Sequence, residues 1–461
     1  MRNFRLTLLL TSFTAVTFSQ KIEISTLKRD QEYYKAPRLA GNIDDHIVGD
    51  CFYFDKNGEY DKTGVGQFQK TVEGVTINNG VIFFALPKYG YVGPGAGNLC
   101  FKPMEEKTEK KIKIELIGSS SERSKLGNYN RPKFGFVIPS QVNDFFIYVN
   151  EGNYHCIDNN MQIKWAVDLS MYGVVQYDVI LEDKNIYILA ETEDVLRIIK
   201  LNYEDGKQSK IEINKNSYKI DGGYIKSSLD NRKIYIGYTY GRSKYEFWKE
   251  SNIYRGNGFG IIVIDRDNFT IENSFEQDYP PDYTGIYQDG EKGIMNAFVE
   301  DIVDIEDDLY IITSSYETHS DGYSDGATMG FIAAWKADAH GIELLGMFDR
   351  NKYESSGGSP RYSAKLVLQN GRVYLIFQSK YTPDEPKGKM KAWNILNLVE
   401  LKENVNSDDI ISWIDELYAV PFNKINVHNG IQLEDGSLFM LGATPNLGDY
   451  KQIISVKISF P

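Results

Sequence analysis

The chain has 461 residues, 42% hydrophobic and 25% charged, a globular composition that argues against a disordered or fibrous protein. Its formal net charge of −13 repels phosphate backbones and anionic lipid, which argues against nucleic-acid binding and attachment to acidic membranes. Three cysteines without CxxC spacing are too few for a disulfide scaffold or a redox site.

The chain starts MRNFRLTLLLTSFTAVTFSQ. Arg2 and Arg5 form a positive n-region, Leu6 to Val16 a mostly apolar h-region, and Thr17 and Ser19 are small enough for a processing cut. This pattern predicts an export signal over residues 1–19, with residues 20–461 as a single exported domain, extracellular or, in a bacterium, periplasmic or at the cell surface. The apolar run is too short to span a bilayer, and no later segment reaches 18 uninterrupted apolar residues, so membrane insertion is not expected.

Next in the chain, residues 46–64, HIVGDCFYFDKNGEYDKTG, contain a hairpin around Asn57-Gly58. Seven further hairpins follow, with polar turns INNGV (77–81), VNDF (142–145), LEDKN (181–185), LDNRK (229–233), IEDDL (305–309), QNGR (369–372) and EDGS (434–437). Asn-Gly and Asp-Gly supply the positive φ angles of tight hairpins, and other Asx-rich turns tolerate them. The second strand of each carries an aromatic residue: Phe83, Tyr148, Tyr187, Tyr235, Tyr310, Tyr374 and Phe439. A third strand follows each hairpin, and a fourth is visible in several, for example MQIKWAVDL and FTIENSF. The strands are almost continuously apolar, as expected when both faces of small sheets are covered. About four strands per unit repeated radially predict an all-β fold, a β-propeller of seven blades; the hairpin at 46–64 allows eight. The last unit stops one strand short at Pro461, and KIEIST (21–26) is expected to supply that strand and close the ring. One stretch departs from this pattern. SDDIISWIDELY (407–418) has Ser407 as an N-cap candidate and apolar residues at 410, 411, 414 and 417, which predicts a short helix.

After the turn at 142–145, YHCIDNNMQIKW resembles the repeat of PQQ-like propellers, with Met161 or Gln162 near its usual glycine. PRYSAKLVLQNGRVYLIF and HNGIQLEDGSLFMLG resemble the opening strands of kelch repeats, without the double glycine that follows there. Each likeness covers one unit and implies a propeller. No quinone cofactor is inferred from it.

Antiparallel order places the turns within the hairpins at one end of every unit and the connections after the second and fourth strands at the other. Those second-end connections are long, including 86–97, 238–257, 278–293, 314–329 and 350–361, and rich in Tyr. Long loops on a rigid scaffold are where binding concentrates, and tyrosine offers contact area at low entropic cost. The residues expected to bind are Tyr89, Tyr91, Arg242, Tyr245, Trp248, Tyr254, Arg255, Tyr283, Tyr287, Tyr323 and Tyr353. The expected partner is an extracellular glycan, peptide or protein, and a monomer is expected.

Chemistry finds weaker signals. ETHSDGYSDG (317–326) offers Glu317, Asp321 and Asp325 as oxygen ligands for calcium, although the order is not that of an EF-hand. The same carboxylates at a channel mouth would serve an alternative function, an extracellular carbohydrate hydrolase or lyase. No GxSxG, P-loop, HExxH or dinucleotide fingerprint occurs, and GPGAG (93–97) opens no helix. His155 lies in a strand between Tyr154 and Cys156, where packing explains it. Cys51 and Cys100 pair only if they lie on neighbouring strands, which geometry decides. Asn268-Phe269-Thr270 is a single sequon on the turn side.

Overall fold

The computed structural model describes 36 β-strands between Lys21 and Ser459 and many of the tight turns joining them; residues 1–20 and most of the long connections lie outside the described residues. The strands form eight antiparallel sheets. Six follow chain order without exchange: Leu39–Ile43 to Tyr60–Thr63, Thr71–Ile77 to Lys110–Lys111, Phe136–Pro139 to Ile163–Asp168, Val175–Glu182 to Gln208–Asn214, Lys219–Ser227 to Thr270–Asp278, and Ala364–Gln369 to Ile411–Trp413. The sixth sheet in chain order runs from Lys292–Ile305 to Gly341–Asp349 and gains three extra strands. The eighth is built on Leu438–Ala443 and Gln452–Ser459. This is one sheet more than the seven hairpin units, and the additional sheet is the one containing residues 46–63.

Turn chemistry sets the hairpins. Asn370 and Gly371 both have positive φ, 52° and 73°, between Gln369 and Arg372, which face each other across the ladder. That is the left-handed pair a two-residue hairpin needs. Asn231, Glu306 and Gly436 mark three other hairpin turns with φ of 58°, 54° and 80°.

Apolar side chains from consecutive sheets meet in separate cores. Ile147, Tyr154 and Cys156 of the third sheet pack with Ile186, Ile188 and Ile199 of the fourth. Tyr187 and Ile198 of the fourth meet Ile234, Ile236 and Ile262 of the fifth. The same holds between fifth and sixth around Trp335, sixth and seventh around Phe377, and seventh and eighth around Tyr374. Tyr148, Tyr187, Tyr235, Tyr374 and Phe439, the recurrent second-strand aromatics, are buried, and Tyr310 is half-buried. Third strands are covered on both faces, as Gly258–Asp265 illustrates, while the fourth strand beside it, Thr270–Asp278, is largely exposed. The fourth strand is therefore the outer edge of its sheet.

First strands of consecutive sheets also lie against one another, from the first sheet through to the seventh. The seventh reaches the eighth through Lys365, whose ammonium donates to the Gly430 carbonyl at 2.8 Å. The eighth reaches the first: Lys457 donates to the Asn57 carbonyl at 3.0 Å, and Gly58, with φ of 81°, leaves room for the Phe439 ring. Lys21–Lys28 pairs antiparallel with Gln452–Ser459, Lys21 opposite Ser459 and Lys28 opposite Gln452, the pairing predicted for KIEIST.

The predicted helix over 407–418 is corrected. Ile411–Trp413 is the fourth strand of the seventh sheet, with Ile411 opposite Leu398 and Trp413 opposite Leu396. The strand Trp393–Glu400 has a free edge of backbone groups, and pairing satisfies it where an isolated helix would not. The rest of that stretch lies outside the described residues. Among the described residues no helix is long and apolar enough to cross a membrane.

Candidate functional site

Strand pairing organises the long-connection end between the fifth and sixth sheets. The connection after the second strand of the fifth sheet contains a hairpin, Lys244–Phe247 with Ser251–Gly256, in which Tyr245 faces Ile253 and Lys244 faces Tyr254. Its second strand pairs with the start of the sixth sheet's first strand, Arg255 opposite Met295 and Gly256 opposite Ile294. On the other side of that strand Met295 faces Glu317. Arg255, Met295 and Glu317 thus stand in one register row across three strands, with the outer two backbones about 10 Å apart. Gly285–Ile286 adds another short strand nearby, pairing with Lys292 and Gly293. The insertion becomes part of a seven-stranded sheet.

The base of this platform is stiffened by two rows in the fifth sheet. Tyr238 faces Gly260, which faces Glu276; Tyr240 faces Gly258, which faces Asp278. Each tyrosine lies over the glycine and donates its hydroxyl to the acid one strand further, Tyr238 to Glu276 at 3.1 Å and Tyr240 to Asp278 at 2.7 Å. A Cβ on Gly260 would come within 2.2 Å of the Tyr238 ring, and one on Gly258 within 2.5 Å of the Tyr240 oxygen. Only glycine permits this overlay. The signal in the sequence is Tyr-x-Tyr at 238–240 against Gly-x-Gly at 258–260.

A second polar arrangement links the first strands. Asp301, on the sixth sheet, accepts from Tyr224 at 2.7 Å and from Lys226 at 2.6 Å, both on the fifth sheet, and from the Leu366 amide of the seventh at 2.9 Å. It follows a β-bulge at Glu300 that shifts the register between Val299 and Asp301. Bulges bend a strand and re-aim its side chains. Burial would push the Asp301 carboxyl up, but the Lys226 charge and the bonds from Lys226, Tyr224 and Leu366 outweigh it and hold it below the ordinary carboxylate value. Sequence reasoning did not single out this residue; its partners lie 65 to 77 positions away.

Of the residues expected to bind, Tyr245, Tyr254 and Arg255 are placed on the inserted hairpin, and Glu317 ends the strand at the opposite edge of the same row. Tyr89, Tyr91, Arg242, Trp248, Tyr283, Tyr287, Tyr323 and Tyr353 lie outside the described residues, as do Asp321 and Asp325 of the calcium candidate. Among the described residues no group of three His, Cys, Asp or Glu could hold a metal ion. His155 is fully buried, beside the Tyr148 ring at 6.1 Å. Its burial lowers the imidazole pKa, against backbone hydrogen bonds with Tyr148 and Asn153 that raise it. Packing accounts for it. Cys156 is a buried free thiol; Cys51 lies outside the described residues. Asn268 sits exposed in the turn between the third and fourth strands of the fifth sheet, where its amide bonds the Asp265 carboxylate at 2.6 Å.

No protein-family model matches the chain, and no curated protein matches it. Solved structures do. The Dos1 propeller has 10% identity and a TM-score of 0.39, covering 82% of this chain and 88% of that one. The β-propeller domain of Cps50 (Swd1) from Myceliophteria thermophila has 9% identity and a TM-score of 0.39, covering 85% of this chain and 100% of that one. The WD40 domain of SCAP from fission yeast has 8% identity and a TM-score of 0.39, covering 95% of this chain and 90% of that one. At such identities neither the partners nor the roles of those proteins carry over to this chain.

Proposed function

We propose that the chain is an exported recognition protein, an eight-bladed β-propeller that binds a glycan, peptide or partner protein on its long-connection end. The observation that carries the binding reading is the docked hairpin. An insertion that merely bridged two strands would have no reason to pair with the neighbouring sheet. Here that pairing sets Arg255 in one row with Met295 and Glu317, on a base braced by Tyr238 and Tyr240. A rigid, pre-organised surface loses little conformational entropy when it binds.

Three features support the ring. Cores lie between consecutive sheets from the third to the eighth, the eighth sheet meets the first through Lys457 and Phe439, and residues 21–28 complete the last sheet. Export is supported by the pattern of the first 19 residues.

A variant carrying Tyr245→Ala, Tyr254→Ala and Arg255→Ala tests the site against a glycan array and a panel of extracellular proteins. The expected result is an unchanged melting temperature with binding weakened at least about tenfold, as for loss of an interface hot spot. Binding at the unaltered level overturns the reading.

A further inference from the structure

Asparagine is a labile side chain, and it is most labile before glycine, where no side chain hinders attack by the next backbone nitrogen on the carboxamide. Five Asn-Gly pairs occur in the chain. Asn79, Asn257 and Asn429 lie outside the described residues, which leaves Asn57-Gly58 and Asn370-Gly371 to compare.

Both pairs sit in hairpin turns, but their surroundings differ. The Gly58 amide, the attacking nitrogen of the first pair, donates to the Asp55 carbonyl at 3.0 Å. The Asn57 carboxamide donates to the Asp55 carboxylate at 3.4 Å, and the Asn57 backbone amide donates to the same carboxylate at 2.9 Å. The Asn57 carbonyl accepts from Lys457 at 3.0 Å, and a Cβ on Gly58 would stand 2.7 Å from the Phe439 ring. These contacts must yield before Gly58 can reach the carboxamide. Asn370 and Gly371, in contrast, are both exposed. The ladder pairs Gln369 with Arg372, so the Gly371 amide lies outside it, and nothing stands within 4 Å of the place a Gly371 Cβ would take.

We propose that Asn370 is a site of spontaneous modification to aspartate and isoaspartate, and that isoaspartate there loosens the junction of the seventh and eighth sheets. The Gly371 nitrogen forms a bond to Cγ of Asn370, the Cγ–Nδ2 bond breaks, and Nδ2 leaves as ammonia with the proton given up by Gly371. Water then opens the cyclic imide at either carbonyl, and nothing is oxidised or reduced. Opening at the backbone carbonyl routes the main chain through Cβ and Cγ, which adds one methylene to a turn held between two paired residues. Gln369, the residue before it, carries the junction. Gln432 of the eighth sheet donates to the Gln369 side-chain carbonyl at 3.1 Å and to the Leu368 carbonyl at 3.3 Å, and Gly436 of the same sheet packs against Gln369.

Incubation of the full chain at mildly alkaline pH tests the proposal, with peptide mass spectrometry following Asn370 and Asn57 and chromatography separating isoaspartate from aspartate. In the native chain Asn370 is expected to convert at least about tenfold faster than Asn57, the scale for two hydrogen bonds released before attack. In urea the two rates are expected to converge, because the dipeptide is the same. The fraction carrying isoaspartate at 370 is expected to melt below the unconverted fraction. Conversion of Asn57 as fast as Asn370 in the native chain, a difference that persists undiminished in urea, or equal melting of the two fractions overturns the proposal. The chain is used unaltered, so no variant has to fold, and the outcome does not depend on what the hairpin platform binds.

Discussion

Lys226 and Asp301 meet across two sheets, with the ammonium 2.6 Å from Oδ1 of a carboxylate whose other oxygen holds the backbone of a third sheet. Removing the charge from Asp301 leaves the Tyr224 hydroxyl, the Lys226 ammonium and the Leu366 amide with a poorer acceptor. Asp301→Asn is expected to cost about 3 kcal/mol, the scale for breaking one side of a buried pair. Urea denaturation at pH 7 measures it.

The same carboxyl sets a pH dependence. Its native value lies below the ordinary 3.8, so its contribution is complete above that value and is lost as pH falls from there through the native value. The stability gap between the unaltered chain and Asp301→Asn should be constant from about pH 5 to 8 and narrow below about pH 4. A gap that widens in acid would contradict the assignment.

Burial pushes the Cys156 thiol up to about 12, with Lys164 lowering it and Asp158 adding to the rise. The native chain at pH 8 is expected to leave this residue unmodified by iodoacetamide, and urea-unfolded chain to alkylate it fully. Peptide mass spectrometry separates it from Cys51 and Cys100.

Two glycines should respond differently to alanine. Gly371 has φ of 73° and open space around its absent Cβ, so Gly371→Ala carries only the backbone penalty of about 1 kcal/mol. Gly260→Ala drives a methyl into the Tyr238 ring and breaks its bond to Glu276, and is expected to cost about 3 kcal/mol. Equal losses in the two variants would show that the tyrosine overlay is not tight.

Removing residues 1–19 is expected to leave stability unchanged, whereas removing 1–28 strips the eight paired positions from Gln452–Ser459. The exposed edge should lower stability by at least about 2 kcal/mol and promote aggregation. Thermal melts and light scattering of the two truncations read this directly.

The strands and hairpins were legible because their causes are local. Asn370-Gly371 specifies its turn from two adjacent residues, and the apolar runs on either side specify strands covered on both faces. The missing outer strand of the last sheet could be placed at residues 21–26 by the same logic, since a strand-length segment at one end matched a vacancy at the other. Residues 407–418 show the limit: apolar spacing there fits a helical stripe, and only the neighbouring edge at Leu396–Leu398 makes Ile411–Trp413 a strand. The sequence pointed to the long Tyr-rich connections, most of which lie outside the described residues, and did not point to the paired row of Arg255, Met295 and Glu317. Arg255 reaches its row by pairing with Met295, 40 positions away in the chain, and Asp301 binds Lys226 over 75 positions and Leu366 over 65. Such contacts depend on how whole sheets pack, and no local pattern encodes them. Composition and turn chemistry determined the units; packing of one sheet against the next decided which residues meet.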